Sequence, residues 1–317
     1  MTAPVLIVDG DNVFRRHLAV NPAMGAGGEP CGGVLGFLRW FERRVKDLKA
    51  GRIIVAWDGD GGSLRRRSLY GEYKAGRRPR LNRKHESESI DQEFANALAQ
   101  RRSLMRILST IGVVQLCVAG CEADDIVAFV VHFTVGDDVV VESSDQDLLQ
   151  LLVVPGVRVH TPAGDRYLTP VDVLERFGCS VENLVLTRAL LGDSSDNIRG
   201  IKGIGRKRVC DLFPMLSGTA VVGLKELRAV AACGASSLHR RLLDEFDVVI
   251  RNVRLMTAGE SIMTPEMCRE VRAQLEVEPV VDTFALNTAV VDAGLEPPFP
   301  NFAVVFKEAL GRATQTS

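Results

Sequence analysis

Short apolar runs that stop at acidic residues set the rhythm of the first half of the chain. Residues 5–8 run into Asp9, 53–57 into Asp58, and 139–141 into Asp145 and Asp147, while 113–118 is followed by an acidic segment starting at Glu122. Val- and Ile-rich runs of this length, without alternation, read as strands buried on both faces. Helical periodicity over 34–48 and 91–111 supplies the crossovers, so the pattern predicts an α/β fold with a mostly parallel sheet. In such a sheet ligands gather beyond the carboxyl ends of the strands. The acids would therefore converge on one place.

The segment from Glu122 sharpens this. On a helix, Ala123, Ile126, Val127 and Val130 share one arc and Glu122, Asp124 and Asp125 the opposite one, which predicts an amphipathic helix with an acidic face. A solvated face is the ordinary account of such acids; the company of Asp9, Asp58, Asp145 and Asp147 argues against it. Carboxylates packed together repel and rise in pKa unless a cation sits among them. Hard oxygen donors with no Cys or His nearby point to Mg²⁺ or Mn²⁺. Asp145 and Asp147 point the same way if their turn is extended. Asp11 and Asn12 belong either to a strand tip or to a helix cap, and capping is the preferred reading.

The stretch 59–90 differs from its surroundings, with Arg65, Arg66, Arg67, Tyr70, Tyr73, Lys74, Arg77, Arg78, Arg80, Arg83 and Lys84 and few aliphatics. It is expected to be exposed and held in shape by a substrate. After a short strand pair at 157–160 and 167–168, a second, helical lobe begins near Thr169 and Pro170, with helices over 171–177 and 181–191. The Gly203-Ile204-Gly205 hairpin that follows exposes backbone N–H groups beside a helix start, a phosphate site reinforced by Arg206, Lys207 and Arg208. An ordinary connection between helices is the alternative. Asp193 and Asp196 share a face if their turn is helical. Helices are expected at 219–232 and 238–257, and Phe299, Phe302 and Phe306 read as packing anchors.

Composition narrows the class. A chain of 317 residues, 46% apolar, buries a sizeable core, and no apolar run approaches the roughly 18 residues of a membrane span. With no charged start of a signal peptide, a soluble, cytoplasmic protein without membrane contact is expected. The seven cysteines never form a CxxC pair, which favours reduced thiols over a disulfide framework or zinc. The net charge of −1 conceals a stretch from Arg39 to Lys84 with 15 Lys and Arg against 5 Asp and Glu. A basic stretch facing an acidic centre suits a polyanion.

In order, Val8-Asp9-Gly10, Trp57-Asp58, the pattern Arg65, Tyr70, Tyr73-Lys74, Arg77, then Glu122-Ala123-Asp124-Asp125, Asp145-x-Asp147, and Gly192-Asp193-Ser194-Ser195-Asp196-Asn197-Ile198 leading to Gly203-Ile204-Gly205, resemble the structure-specific 5′ nucleases, that is, flap endonucleases and the 5′-nuclease domain of bacterial DNA polymerase I. The resemblance covers about residues 5–215, with a weaker echo at 251–255. It implies a PIN-like α/β lobe over 1–168 with a basic helical arch at about 59–90. A helix-three-turn-helix lobe over 169–260 and an extension of unknown role over 261–317 follow. Asp9, Asp58, Glu122, Asp124 and Asp125 would hold a first Mg²⁺ directly or through water, and Asp145, Asp147, Asp193 and Asp196 a second, with Mn²⁺ able to substitute. Two such ions roughly 4 Å apart lower the pKa of an attacking water and stabilise both oxygens of a phosphodiester displacement. Lys74 and Arg77 would act on the scissile phosphate. Tyr73 and Arg78 are expected at the DNA, Tyr73 either stacking on a base or packing the arch. Gly203, Ile204, Gly205, Arg206 and Lys207 would hold a duplex phosphate, and carbonyls of Leu190, Leu191, Arg199, Ile201 and Ile204 would bind K⁺. Ser144, Arg199 and Lys202 depart from the family pattern and leave the acids intact.

The function this implies is a 5′-3′ exonuclease and flap endonuclease acting as a monomer on DNA with a 5′ flap, nick or 5′ end, alone or beside replication proteins. The alternatives are an RNA-primer-removing ribonuclease of the same fold and a non-catalytic DNA-binding module of a replisome. Retention of every acid named above speaks against the last.

Overall fold

The structure, a computed structural model, describes residues 3–76, 89–134, 136–162, 164–295 and 302–314. One sheet holds six strands, β1 (Val5–Asp9), β2 (Arg52–Trp57), β3 (Val114–Cys117), β4 (Val139–Glu142), β5 (Val157–Thr161) and β6 (Arg166–Leu168). Their spatial order is β3-β2-β1-β4-β5-β6, parallel throughout except for the antiparallel edge strand β6. Helices α1 (Gly10–Val20) and α2 (Gly32–Leu48) connect β1 to β2, α3 (Leu64–Leu69) and α4 (Ile90–Leu108) connect β2 to β3, and α5 (Ala123–Phe133) returns the chain to β4. The order therefore reverses between β1 and β4, which opens a crevice at the carboxyl ends of those strands.

Alternation along β1 explains its unbroken apolar sequence. Leu6 and Val8 join Phe37, Leu38, Phe41 and Leu104 on one face, while Val5 and Ile7 join Ile126, Val127 and Val130 on the other. Gly10 lets α1 start against β2, because a Cβ there would lie 2.7 Å from the Trp57 ring and 2.8 Å from Val55. The expected acidic face of α5 is not found. Residues Ala123 and Asp125 to Val131 are all buried, and Asp124 is half-buried. The acids instead crowd its N-terminal end, where unpaired N–H groups and the helix dipole favour negative charge.

The remaining helices are α6 (Pro170–Phe177), α7 (Leu184–Leu191), α8 (Arg206–Leu212), α9 (Leu224–Cys233), α10 (Ser237–Asp244) and α11 (Phe246–Met256), with a two-stranded hairpin of β7 (Gly192–Asp193) and β8 (Ile198–Arg199) between α7 and α8. Val173, Leu190, Val209 and Val249 from these helices extend the same apolar cluster that lies under α5. Beyond residue 261 the chain folds back on the sheet. α12 (Pro265–Leu275) packs on β3, α13 (Thr283–Asp292) on α4, and α14 (Phe302–Thr314) on α2 and β2. Phe302 and Phe306 are buried anchors, with the Phe306 ring 5.3 Å from that of Phe41; Phe299 lies outside the described residues. No helix among the described residues is long and apolar enough to cross a membrane.

Candidate active site

The strand tips deliver the acids as the alternation requires. Asp9 ends β1 and caps α1, accepting the Asn12 N–H at 3.2 Å. The cap is therefore Asp9, not Asp11 or Asn12 as the sequence led us to expect. Its other oxygen accepts from the Ser143 hydroxyl at 2.9 Å, and that hydroxyl accepts the Asp145 N–H at 3.0 Å, so Ser143 ties the ends of β1 and β4 together. Asp58 follows β2 and accepts the Ala123 N–H at 2.9 Å, holding the start of α5, while Arg15 pairs with its second oxygen at 3.1 Å.

Two geometric expectations fail. Asp145 accepts the N–H of Asp147 at 2.9 Å, a tight turn rather than an extended segment. Asp147 consequently turns to Arg188, 2.8 Å away, whose guanidinium also holds Asp193 at 2.5 Å. Nor is the turn at 193–196 helical: it is the tip of the β7–β8 hairpin, with Asn197 in the left-handed region at φ 58°. Asp193 faces Arg188, whereas Asp196 is buried 3.9 Å from Lys74.

The base of the expected arch is packed rather than exposed. Arg66 is 2% exposed and grips Asp125 through two hydrogen bonds of 2.7 Å, Glu122 at 2.6 Å and the Leu255 carbonyl at 2.9 Å. Tyr73 is 2% exposed, donates its hydroxyl to Glu122 at 3.0 Å and packs with Ile198, Leu255 and Met256. Of its two readings, packing is the one the structure takes. Lys74 hydrogen-bonds to the other Glu122 oxygen. Its own backbone is left-handed at φ 53°, and its N–H donates to the Asp196 carbonyl at 2.8 Å, while the Asn197 amide donates to the Glu72 carbonyl at 3.0 Å. Two strained residues thus stitch the arch base to the hairpin. Arg77 and Arg78, expected in the arch, lie with the rest of 77–88 outside the described residues.

This crowding shapes the electrostatics. Burial, then the charges of Asp58 and Asp145, lifts Asp9 well above the usual carboxylate range. Burial raises Asp124 and Asp145, takes Asp125 to about 7 with help from Asp124, and takes Asp147 to about 8 despite Arg188. Burial opposes ionisation of Glu122 as well, but Lys74 and then Arg66 outweigh it and hold its pKa low. One oxygen each of Glu122, Asp124 and Asp125 lies within 4.8 Å of the others. Arg66 already neutralises two of these acids. Oδ2 of Asp124 and of Asp145 takes no hydrogen bond among the described residues. An all-oxygen donor set with open, mutually repelling carboxylates fits a hard divalent cation. The charges of Asp58 and Asp145 act on Asp9 and that of Asp124 on Asp145, so these acids gather around one crevice.

Farther out, Gly203 adopts φ 88° and Gly205 caps α8, leaving Gly203, Gly205, Arg206 and Lys207 exposed and Ile204 buried. Of the carbonyls expected to bind potassium, Leu190 accepts from Ile201 at 2.9 Å and Ile201 from Ile204 at 3.0 Å. Arg199 accepts the Asn252 amide at 2.8 Å, and that amide also reaches the Ala189 carbonyl at 2.9 Å. The Arg199 carbonyl also accepts from the Arg251 guanidinium at 3.4 Å, so both its lone pairs are engaged.

Residues 4–178 match the model of the 5′-3′ exonuclease N-terminal resolvase-like domain, which is more than half of the chain. The chain belongs to this 5′-3′ exonuclease family. It is 30% identical over 210 residues to the 5′-3′ exonuclease of Aquifex aeolicus, an alignment covering 65% of this chain and 68% of that protein. It is 34% identical over 207 residues to the thermostable DNA polymerase I of Thermus aquaticus, covering 64% of this chain but only 23% of the polymerase. The chain thus spans about a quarter of the polymerases it matches. Among solved structures, the bacteriophage T5 flap endonuclease in complex with DNA and metal ions superposes with a TM-score of 0.63 at 22% identity, covering 92% of this chain and 97% of that one. That likeness confirms the fold.

Sequence reasoning missed the buried cations of this family member. Arg188 stood alone in the apolar run Leu184–Leu191, a signal for a paired buried charge. Arg66, inside a triplet of arginines, offered none.

Proposed function

We propose that the chain is a Mg²⁺-dependent, structure-specific 5′ nuclease that hydrolyses DNA phosphodiesters near 5′ ends and flap junctions. The observation that carries this reading is the meeting of acids from the carboxyl ends of β1, β2 and β4 and the start of α5 with the arch-base Lys74. Asp9, Asp58, Asp124 and Asp145 would hold divalent ions, with Asp147, Asp193 and Asp196 beside them. Asp125, with both oxygens on Arg66, and Glu122, shared by Arg66, Tyr73 and Lys74, would act as anchors. Bound divalent ions would supply an ionised water and Lewis-acid stabilisation of the phosphate oxygens.

The chain's own groups do the positioning. Lys74, whose pKa is raised despite burial by Glu122 and then Asp124, stays charged and can exchange Glu122 for a phosphate oxygen. Arg206 and Lys207, with the Gly203–Gly205 backbone, would hold a duplex phosphate without reading sequence. K⁺ at the Leu190, Leu191, Arg199, Ile201 and Ile204 carbonyls is a further part of this reading. Substrate choice tests it. Purified protein should cut a 5′ flap on a duplex far faster than single-stranded or blunt duplex DNA of the same sequence, and equal rates on all three would contradict it. An RNA-primed flap in the same assay separates primer removal from DNA cleavage.

A further inference from the structure

Two charged side chains stand outside the acids assigned above, the buried Asp11 and the half-buried Arg101, and both converge on the backbone of one of those acids. Asp58 sits one residue past the end of β2, where the ladder stops and its N–H and C=O need other partners. Asp11 accepts the Asp58 N–H at 2.8 Å. The Arg101 guanidinium donates to the Asp58 carbonyl at 2.9 Å and holds both Asp11 oxygens, at 2.9 and 3.1 Å. Its central carbon lies over the Trp57 ring, 5.1 Å from the ring centre, and the Asp11 side chain is only 7% exposed. Asp58 itself is 37% exposed at its side chain and is followed by Gly59-Asp60-Gly61-Gly62, so packing does little to fix it.

We propose that the Asp11–Arg101 ion pair is a positioning clamp that presets Asp58 for divalent-cation binding. The inference rests on the nuclease reading above. Asp58 spends one oxygen on the start of α5 and pairs the other with Arg15, a side chain 60% exposed that an incoming cation can displace. A swing of its backbone would misplace the carboxylate and α5 together. The clamp fixes both backbone polar groups at once, and the guanidinium is itself held by Asp11, the Asp58 carbonyl and the Trp57 ring. Outer groups of this kind are worth about 10- to 100-fold in metal affinity.

The test is Mn²⁺ binding to the DNA-free full chain by calorimetry, beside a Mg²⁺ titration of flap cleavage, for wild type, Arg101→Ala, Arg101→Lys and Asp11→Asn. Arg101→Ala should weaken Mn²⁺ binding about tenfold and move the Mg²⁺ midpoint by a similar factor, while kcat recovers at saturating Mg²⁺ and flap affinity in EDTA is unchanged. Arg101→Lys and Asp11→Asn, which keep part of the clamp, should shift less, and they carry the test if Arg101→Ala does not fold. Variants with wild-type Mn²⁺ affinity and Mg²⁺ midpoint, or with a lower kcat at every Mg²⁺ concentration and no midpoint shift, would overturn the clamp. Failure of wild type itself to bind Mn²⁺ or cut would overturn the nuclease reading instead.

Discussion

At the scale of single residues, the Arg66 guanidinium faces three carboxylates, those of Glu122, Asp124 and Asp125, at 2.6, 3.7 and 2.7 Å. Removing it strands buried negative charge, so Arg66→Ala should cost about 3–5 kcal/mol, read from denaturant unfolding in EDTA. A loss below about 1 kcal/mol would mean solvent or rearrangement already screens these acids. The raised carboxyls make a second prediction. Asp125 at about 7 and Asp147 at about 8 keep protons that the unfolded chain would have lost near pH 4. Their contribution to stability is present below that pH and drains as pH rises through 7 and 8. Divalent cations at the neighbouring Asp124 and Asp145, whose carboxyls burial also raises, favour the ionised acids and so compete with protons throughout this cluster. The gap in melting temperature between Mg²⁺ and EDTA should therefore widen from pH 5.5 to 8.5, and a constant gap would contradict the assignment. Arg66 was illegible in the sequence because its neighbours Arg65 and Arg67 carry the same charge and no periodicity singles it out. The acids were legible because each closes an apolar run.

At the scale of elements, the parallel strands were readable because burial on both faces leaves no room for polar alternation, and β1, β2 and β4 fall where their Val and Ile runs do. α5 was misread for the converse reason. Its acids occupy the first turn, where the helix end rather than a face accommodates them. The hairpin at 192–199 defeated pattern reading because the left-handed Asn197 converts a helical-looking spacing into a turn. The C-terminal helices carry no sequence signature of their site, since α12, α13 and α14 find partners far away in the chain. Deleting residues 277–317 would strip Leu286, Val290, Phe302 and Phe306 from the cluster around Phe41. The truncated chain should lose more than about 3 kcal/mol and bind hydrophobic dyes, as large core truncations do. A soluble, cooperatively melting product would show instead that these helices are an appendage. On α8, Lys207→Ala should weaken duplex binding across all sequences and lower the salt slope by about one charge. An unchanged slope would remove α8 from the DNA path.

At the scale of the whole molecule, a chain with net charge −1 concentrates 15 of its 39 Lys and Arg between Arg39 and Lys84 and starts α8 with Arg206, Lys207 and Arg208, while a group of its acids meets at the sheet's carboxyl edge. A polyanion drawn to the basic surfaces would be delivered to carboxylates that need a cation of their own. Fold and site order were readable because both follow from where strands end. The pairing of Asp125 with Arg66, Asp11 with Arg101 and Asp147 with Arg188 was not, since it depends on contacts across tens of residues. Metal-dependent phosphodiester hydrolysis by the acids at the strand ends is tested most directly on a 5′-labelled flap duplex. Wild type should release labelled product with Mg²⁺ and none with EDTA, whereas Asp145→Asn should slow turnover about a hundredfold or more while binding the flap with wild-type affinity. Cleavage that persists in EDTA, or an Asp145→Asn enzyme that cuts at the wild-type rate, would contradict it.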